Sequence, residues 1–346
     1  MPNTMRAVQV VQQGQPLALR EIILPEAGKG ELRIRVEAAG ICHSDAHYRS
    51  GTGSVAKLPI TLGHEVAGRV DQVGEGVTGF VEGDRVALHY LVTCGHCDYC
   101  RRGLEQFCRE VQMLGKHRDG GYADYIVAPA MNAICIADSV SSAAAAVMMC
   151  SSATAFHAMR KARVVAGDRV AVFGIGGLGL SALQLARIAG VSQVFAIDID
   201  QQKLAQAAAL GAIPIHPGNG SVEQQIRDQT QGAGVDVALE FAGIPTTQQQ
   251  AVAVLAPQGR AALAGICKEP FAVDSFGNVI NYEAEIIGVS DHLRSELVTL
   301  MEFAARGQLD LDSVIAERLP LDANAINHRL DDLSGFRANR RAVITP

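Results

Sequence analysis

Four cysteines, Cys94, Cys97, Cys100 and Cys108, stand in the pattern C-x2-C-x2-C-x7-C. Four thiolates at these steps can wrap one tetrahedral zinc, the short steps forming a knuckle and the longer one closing a loop. Such a shell has no open position, so its ion holds a loop and does no chemistry. An iron–sulfur cluster is the rival reading, but nothing else in the sequence suggests a redox partner path. His96 lies among the thiols and reads as an exposed loop residue, because four cysteines already fill the shell.

A second concentration of chemistry is Cys42-His43-Ser44-Asp45-Ala46-His47. A thiol, two imidazoles, a hydroxyl and a carboxylate fall within six residues, all able to bind metal or move protons. Read in isolation, the stretch is equally a polar turn after a strand. His64 and Glu65 follow Gly63 and precede an apolar run, a place where a lone histidine is usually structural. With Cys42, and with Cys150 far along the chain, His64 would complete a Cys/His/Cys set suited to zinc. Three protein ligands leave a fourth position for water or substrate, as catalytic zinc requires. Spacing alone does not bring these three residues together.

The third signal is Gly174-Ile175-Gly176-Gly177-Leu178-Gly179, a G-x-G-x-x-G between the apolar run Arg169–Phe173 and a helical pattern. Gly174 lets the chain turn, Gly176 lets backbone approach a pyrophosphate, and Gly179 lets helix and strand pack closely. The helix amino end then faces the phosphates. Asp198 closes the next strand pattern, where a carboxylate accepts from both ribose hydroxyls and repels a 2′-phosphate. NAD is therefore expected over NADP. Asp200 can cap the following helix without help from Asp198.

These residues need elements to hold them. Up to about residue 150 the pattern is strands and turns: Val8–Val10, Leu17–Leu19, Leu32–Val36 and Val66–Val70, punctuated by Gly14, Pro16, Pro25, Gly28 and Gly30. An irregular, mostly antiparallel β domain is expected. Beyond it strands alternate with helices: 169–173, 178–188, 194–197, 201–210, 222–229, 235–239, 246–255 and 260–264. That alternation predicts a parallel sheet covered by helices. A helix over 296–305 and a polar tail ending in the strand 341–344 carry no further βα unit and are expected to return to the first domain.

The length of 346 residues suits two domains. With 30 basic and 36 acidic residues the net charge is −6, which gives no electrostatic reason to expect nucleic acid or an anionic membrane as partner. The chain opens directly on a strand pattern, and its most apolar stretch, 143–149, is too short to span a bilayer. A soluble cytoplasmic protein is expected, with thiols or metal ligands rather than disulfides among its eight cysteines. Cys135 and Cys267 read as small buried hydrophobes.

Taken together, Gly40-Ile41-Cys42-His43-Ser44-Asp45, Gly63-His64-Glu65-Val66-Ala67-Gly68, Gly83-Asp84-Arg85-Val86, the four-cysteine lobe, Gly120-Gly121-Tyr122-Ala123-Asp124-Tyr125 and Gly174–Gly179 resemble the zinc-dependent medium-chain alcohol dehydrogenases nearly end to end. The chain is most similar to their tetrameric bacterial and archaeal branch. The resemblance implies an α/β fold: a GroES-like irregular β-barrel catalytic domain (1–151 and 290–346) with its zinc lobe at about 91–110, and a Rossmann cofactor domain (152–289). It implies NAD and two zinc ions per chain, the catalytic one on Cys42, His64 and Cys150, with Glu65 behind it as an alternate ligand. Asp45 would fix the His64 tautomer. Ser44 would bind the substrate hydroxyl and pass its proton through the nicotinamide ribose to His47. His43 and Arg341 would face the pyrophosphate, with Arg340 the competing alignment for Arg341. Thr154 would pack on the nicotinamide, and Gly177, Leu178 and Lys203 would complete the cofactor contacts. Tyr90, Leu114, His117 and Val289 would line a pocket for an uncharged alcohol, aldehyde or ketone.

The implied activity is reversible hydride transfer between a primary or secondary alcohol and NAD by a homotetramer, with a dimer as the alternative. A polyol or amino-alcohol dehydrogenase or an enal reductase of the same superfamily is the second reading. A non-catalytic, zinc-stabilised nucleotide-binding protein is the third. It fits less well, because such relatives lack the three ligands found here.

Overall fold

The computed structural model describes residues 3–335 and 341–346, so Arg340 lies outside the described residues. The chain divides into two compact units, Met1–Cys150 with Leu293–Pro346, and Ser151–His292.

The strand Glu31–Gly40 is the axis of the first unit. Leu32, Ile34 and Val36 alternate into the core, and the strand ends on three small buried residues, Ala38, Ala39 and Gly40. It pairs antiparallel with Glu65–Val73, Tyr125–Pro129 and Arg341–Ile344. Register shifts at Arg33/Ile34 and Val36/Ala38 are bulges, which re-aim side chains and strengthen the local twist. The remaining strands of this sheet are Arg85–Leu88, Ala133–Cys135 and Ile315–Leu319. A smaller sheet joins Ala18–Ile23, Thr4–Val10 and Ile60–Thr61. The chain lacks tryptophan, and its core here is mainly aliphatic: Leu32, Ile34, Ile41, Ile60, Leu62, Leu88 and Leu114, with Tyr122 as the large aromatic.

In the second unit six parallel strands run in the order Ile213–Ile215, Gln193–Ile197, Arg169–Phe173, Val235–Glu240, Leu255–Leu263 and Glu285–Gly288. The order reverses at Arg169–Phe173, the place where open α/β sheets bind ligands. Val170, Ala171, Val172 and Phe173 are all buried, which is the near-continuous apolar run of a strand covered on both faces.

Several features depart from the sequence reading. Cys135 is exposed and Cys267 half-buried, so neither is the buried hydrophobe expected. Cys42–His47 is not a turn: His43–Ser50 is a helix, with Cys42 at its N-cap and Gly51 ending it at φ 86°. The Asp45 carboxylate accepts from the Cys42 N–H at 2.9 Å, closing a capping box that the polar composition hides. The polar tail contains a second unexpected helix, Ala323–Ser334, capped by Asp322 and carrying buried Ile326 and Leu330. The expected helix 246–255 instead runs Pro245–Ala253, because Leu255 pairs with Val235 as the start of the next strand. Among the described residues no helix is long and apolar enough to cross a membrane.

Candidate active site

The four-cysteine lobe folds around its thiols. The ligand atoms of Cys94, Cys97, Cys100 and Cys108 lie within 4.8 Å of one another. Cys97 Sγ stands 3.6 Å from Cys100 Sγ, and Cys94 Sγ 4.0 Å from it. A tetrahedron with Zn–S bonds of about 2.3 Å has edges of about 3.8 Å, so these separations fit zinc. Backbone N–H groups of Cys94 and Glu110 donate to Cys108 Sγ at 3.3 and 3.4 Å, and that of Cys97 to Cys94 Sγ at 3.3 Å. Such donors suit thiolates. Those of Cys100 and Arg109 help hold the Cys97 thiol at about 6, whereas burial pushes Cys100 up to about 12. His96 is exposed at the edge of the lobe, its Nδ1 2.8 Å from the Cys94 carbonyl and its Nε2 3.6 Å from Glu110.

The second group is assembled from three distant places. Cys42 stands at the N-cap of His43–Ser50, His64 and Glu65 at the entry of Glu65–Val73, and Cys150 in the π-helical turn Met148–Ser152 between two α-helices. Single π turns interrupt helices at functional sites and re-aim the side chains they carry. The ligand atoms of Cys42, His64, Glu65 and Cys150 lie within 4.8 Å, and all four residues are buried. Neither nitrogen of His64 has a hydrogen-bond partner, nor does Glu65 Oε1. Buried polar atoms are almost always satisfied. With His64 Nδ1 facing Asp45, a cation among two thiols, an imidazole and a carboxylate answers His64 Nε2 and Glu65 Oε1, and this donor set suits zinc.

The electrostatics agree. The hydrogen bond from Cys150, with His64 adding, holds the Cys42 thiol well below its usual range against burial. Cys150 is raised by the same contact and by burial. Burial alone would lower His64, but Asp45 and Cys42 outweigh it and hold the imidazole well above its ordinary value. Asp45 Oδ1 lies 3.3 Å from His64 Nδ1, an ion-pair contact that leaves Nε2 for the thiol side. Burial pushes Glu65 up to about 7 despite its pairing with the buried Arg341 guanidinium. Arg341 is thus engaged with Glu65, while its Nε has no partner.

Ser44 Oγ lies 3.9 Å from Cys42 Sγ. His43 and His47, one helical turn apart, stack with ring centroids 4.7 Å apart. Tyr90 is buried and presents its ring edge-on to His64, centroids 5.2 Å apart at 81°. Leu114 is fully buried, its N–H bonded to the Tyr90 carbonyl. His117 Nδ1 accepts from the Met113 N–H at 2.9 Å, so its neutral ring carries the proton on Nε2.

In the second unit, Gly174 takes φ 89°, and a Cβ there would meet the Ala242 nitrogen at 2.9 Å. A Cβ on Gly179 would stand 2.2 Å from the Gly174 carbonyl oxygen, whereas one on Gly176 would meet nothing within 4 Å. The helix Gly177–Ile188 thus begins against the turn, with open space over Gly176 where a phosphate can approach. Asp198 accepts from the Ile175 and Asp200 N–H groups at 2.8 and 2.9 Å, which fixes its carboxylate at the strand end. Asp200 caps Gln201–Ala209 through the N–H groups of Gln202 and Lys203. Thr154 and Val289, half-buried, also belong to this unit.

Sequence reasoning misses the partners that organise the metal group. The Tyr122 hydroxyl donates to Asp45 Oδ2 at 2.8 Å, and Arg341 pairs with Glu65. The motif Gly120–Tyr125 marks Tyr122 as notable, but nothing in its spacing points to Asp45.

The family model described as "Alcohol dehydrogenase GroES-like domain" matches residues 28–138, and "Zinc-binding dehydrogenase" matches residues 177–306. An alcohol dehydrogenase of Geobacillus stearothermophilus is 35% identical over 98% of this chain and 99% of its own. An L-threonine 3-dehydrogenase of Pyrococcus horikoshii is 32% identical over 92% of both chains. The crystal structure of an NAD-dependent alcohol dehydrogenase, 32% identical, superposes with a TM-score of 0.90 over 99% of this chain and 100% of that one.

Proposed function

The chain belongs to the zinc-binding medium-chain alcohol dehydrogenase family, and on that premise we propose that it is an NAD-dependent alcohol dehydrogenase with two zinc ions per chain. It interconverts an uncharged primary or secondary alcohol with its aldehyde or ketone. The observation that carries this reading is the buried Cys42/His64/Cys150 set, with no hydrogen-bond partner on His64 Nε2 and with Glu65 beside it. Bound there, zinc supplies Lewis-acid polarisation of the substrate oxygen, and NAD supplies the hydride acceptor.

The residues divide the remaining work. Cys42, His64 and Cys150 hold the metal, and Asp45 keeps the His64 ring in one orientation. Glu65, restrained by Arg341, stands in reserve as an alternate ligand. Ser44 accepts the substrate hydroxyl proton at Oγ, and half-buried His47 returns it to solvent. His43 and the amide ends of the Gly176–Gly179 turn bind the pyrophosphate, Arg341 assisting through the part of its guanidinium not given to Glu65. Asp198 takes the adenosine ribose with Lys203 beside it, and Thr154 supports the nicotinamide. Cys94, Cys97, Cys100 and Cys108 hold the structural zinc. Tyr90, Leu114 and His117 are the candidate substrate contacts of the first unit and Val289 that of the second; none of the four is acidic, which favours uncharged substrates.

The edge strand Glu285–Gly288 pairs on one side only and exposes Ile286, which supports association of copies; a homotetramer in the cytoplasm is the expected state. The likeness to an L-threonine 3-dehydrogenase favours an amino alcohol as the second substrate class. A steady-state panel of simple alcohols, polyols and L-threonine with NAD and with NADP separates the two. Simple alcohols with NAD should give the highest kcat/KM. A maximum on L-threonine would replace the first reading by the second.

A further inference from the structure

Tyr122 is fully buried, and its hydroxyl points into the metal-ligand layer, donating to Asp45 Oδ2 at 2.8 Å. The same oxygen accepts from the Cys42 N–H at 2.9 Å, and the other carboxylate oxygen faces His64 Nδ1 at 3.3 Å. One carboxylate therefore touches the backbone of one candidate ligand and the ring of another, and Tyr122 closes its remaining side. Tyr122 is itself held on both sides. Its N–H bonds to the Leu62 carbonyl at 3.0 Å, and the Gly121 N–H to the Gly63 carbonyl at 2.8 Å. Its ring lies against Gly63, the residue before His64: a Cβ at Gly63, which takes φ 94°, would stand 2.4 Å from Tyr122 Cδ1. Burial and Asp45 hold the phenol well above its usual range, so it remains a donor.

We propose that Tyr122 is a positioning residue for the Cys42/His64/Cys150 zinc, acting through Asp45 to fix the His64 ring. The inference rests on the zinc reading of that set. Two donors on Oδ2 set the carboxylate plane, which leaves Oδ1 aimed at Nδ1 and His64 Nε2 aimed at the thiols. Tyr122→Phe keeps the packing on Gly63 and removes only the donor. Asp45 can then rotate, and His64 loses its fixed orientation. Outer partners of metal ligands typically contribute 10–100-fold in affinity, and Tyr122 stands one bond farther out, so an effect of about tenfold is expected.

The test is zinc release from the holoenzyme to a chelating dye, with the four-thiolate zinc as an internal control. In Tyr122→Phe one zinc per chain should leave about tenfold faster than in the wild type while the other leaves at the wild-type rate. With cobalt in place of zinc, the visible bands of the Cys42/His64/Cys150 ion should shift. Release from Tyr122→Phe/Asp45→Asn should be no faster than from Asp45→Asn alone. Unchanged release and spectrum, equal acceleration of both zincs, or additive effects in the double variant would each overturn the proposal. A wild-type chain that binds only the four-thiolate zinc would overturn the reading beneath it.

Discussion

Asp198 accepts two backbone N–H groups and keeps further lone pairs, so on the proposed function one side chain both holds the glycine turn and selects the cofactor. Asp198→Gly should raise the ratio of kcat/KM with NADP to that with NAD by about tenfold or more, since a charge–phosphate repulsion of a few kcal/mol is removed. An unchanged ratio would remove Asp198 from the selection. Ser44 and His47 can be separated in the same way. Ser44→Ala should lower kcat by about a hundredfold or more, the usual contribution of a positioned proton-transfer group. His47→Gln should cost only about tenfold, because water can replace a half-buried imidazole at the end of a relay. Equal losses would place His47 within the proton step itself. At this scale the sequence is legible where ligands are close in the chain, as in the step pattern of Cys94 to Cys108. Cys42, His64 and Cys150 carry the right chemistry but no spacing signal, since a β-strand register and a π turn bring them together. The Tyr122–Asp45 hydrogen bond leaves no sequence trace at all.

The second and third glycines of the cofactor motif, Gly176 and Gly179, differ in what surrounds them, and this separates stability from binding. Gly179→Ala drives a Cβ to 2.2 Å from the Gly174 carbonyl oxygen and should destabilise the second unit, typically by about 1–3 kcal/mol for overpacking. Gly176→Ala meets no protein atom and has an ordinary backbone φ of −92°, so Tm should hold while KM for NAD rises. Thermal melting with NAD titration checks both; a falling Tm in Gly176→Ala would contradict the open space assigned there. The parallel sheet is legible because its strands are long apolar runs separated by helical periodicity. The helix His43–Ser50 is not, because its Cys42–Asp45 capping box and buried Ala46 and Tyr48 lie within a stretch of polar, catalytic types. Ala323–Ser334 is hidden for the same reason: only Ile326 and Leu330 are buried, too few to mark a face by pattern.

For the molecule as a whole, the two metal groups predict different losses. The four-thiolate zinc ties a lobe with little core of its own, so Cys97→Ser should remove one zinc per chain. It should lower Tm by about 10 °C if a few kcal/mol are lost at roughly 2–4 °C each. An unchanged Tm would show that the lobe holds without its metal. The acidic balance of −6 gives no attraction for nucleic acid. On the proposed function the buried Cys/His/Cys set, and not the lobe, drives alcohol oxidation. The most direct test of this is alcohol-dependent NADH formation by the wild type and by Cys42→Ser, each with its zinc content measured. The wild type should hold two zincs and reduce NAD. Cys42→Ser should keep the lobe zinc and lose about a thousandfold or more in rate, the scale of several kcal/mol of metal-ion catalysis. Undiminished NADH formation by Cys42→Ser holding only the lobe zinc would contradict the account.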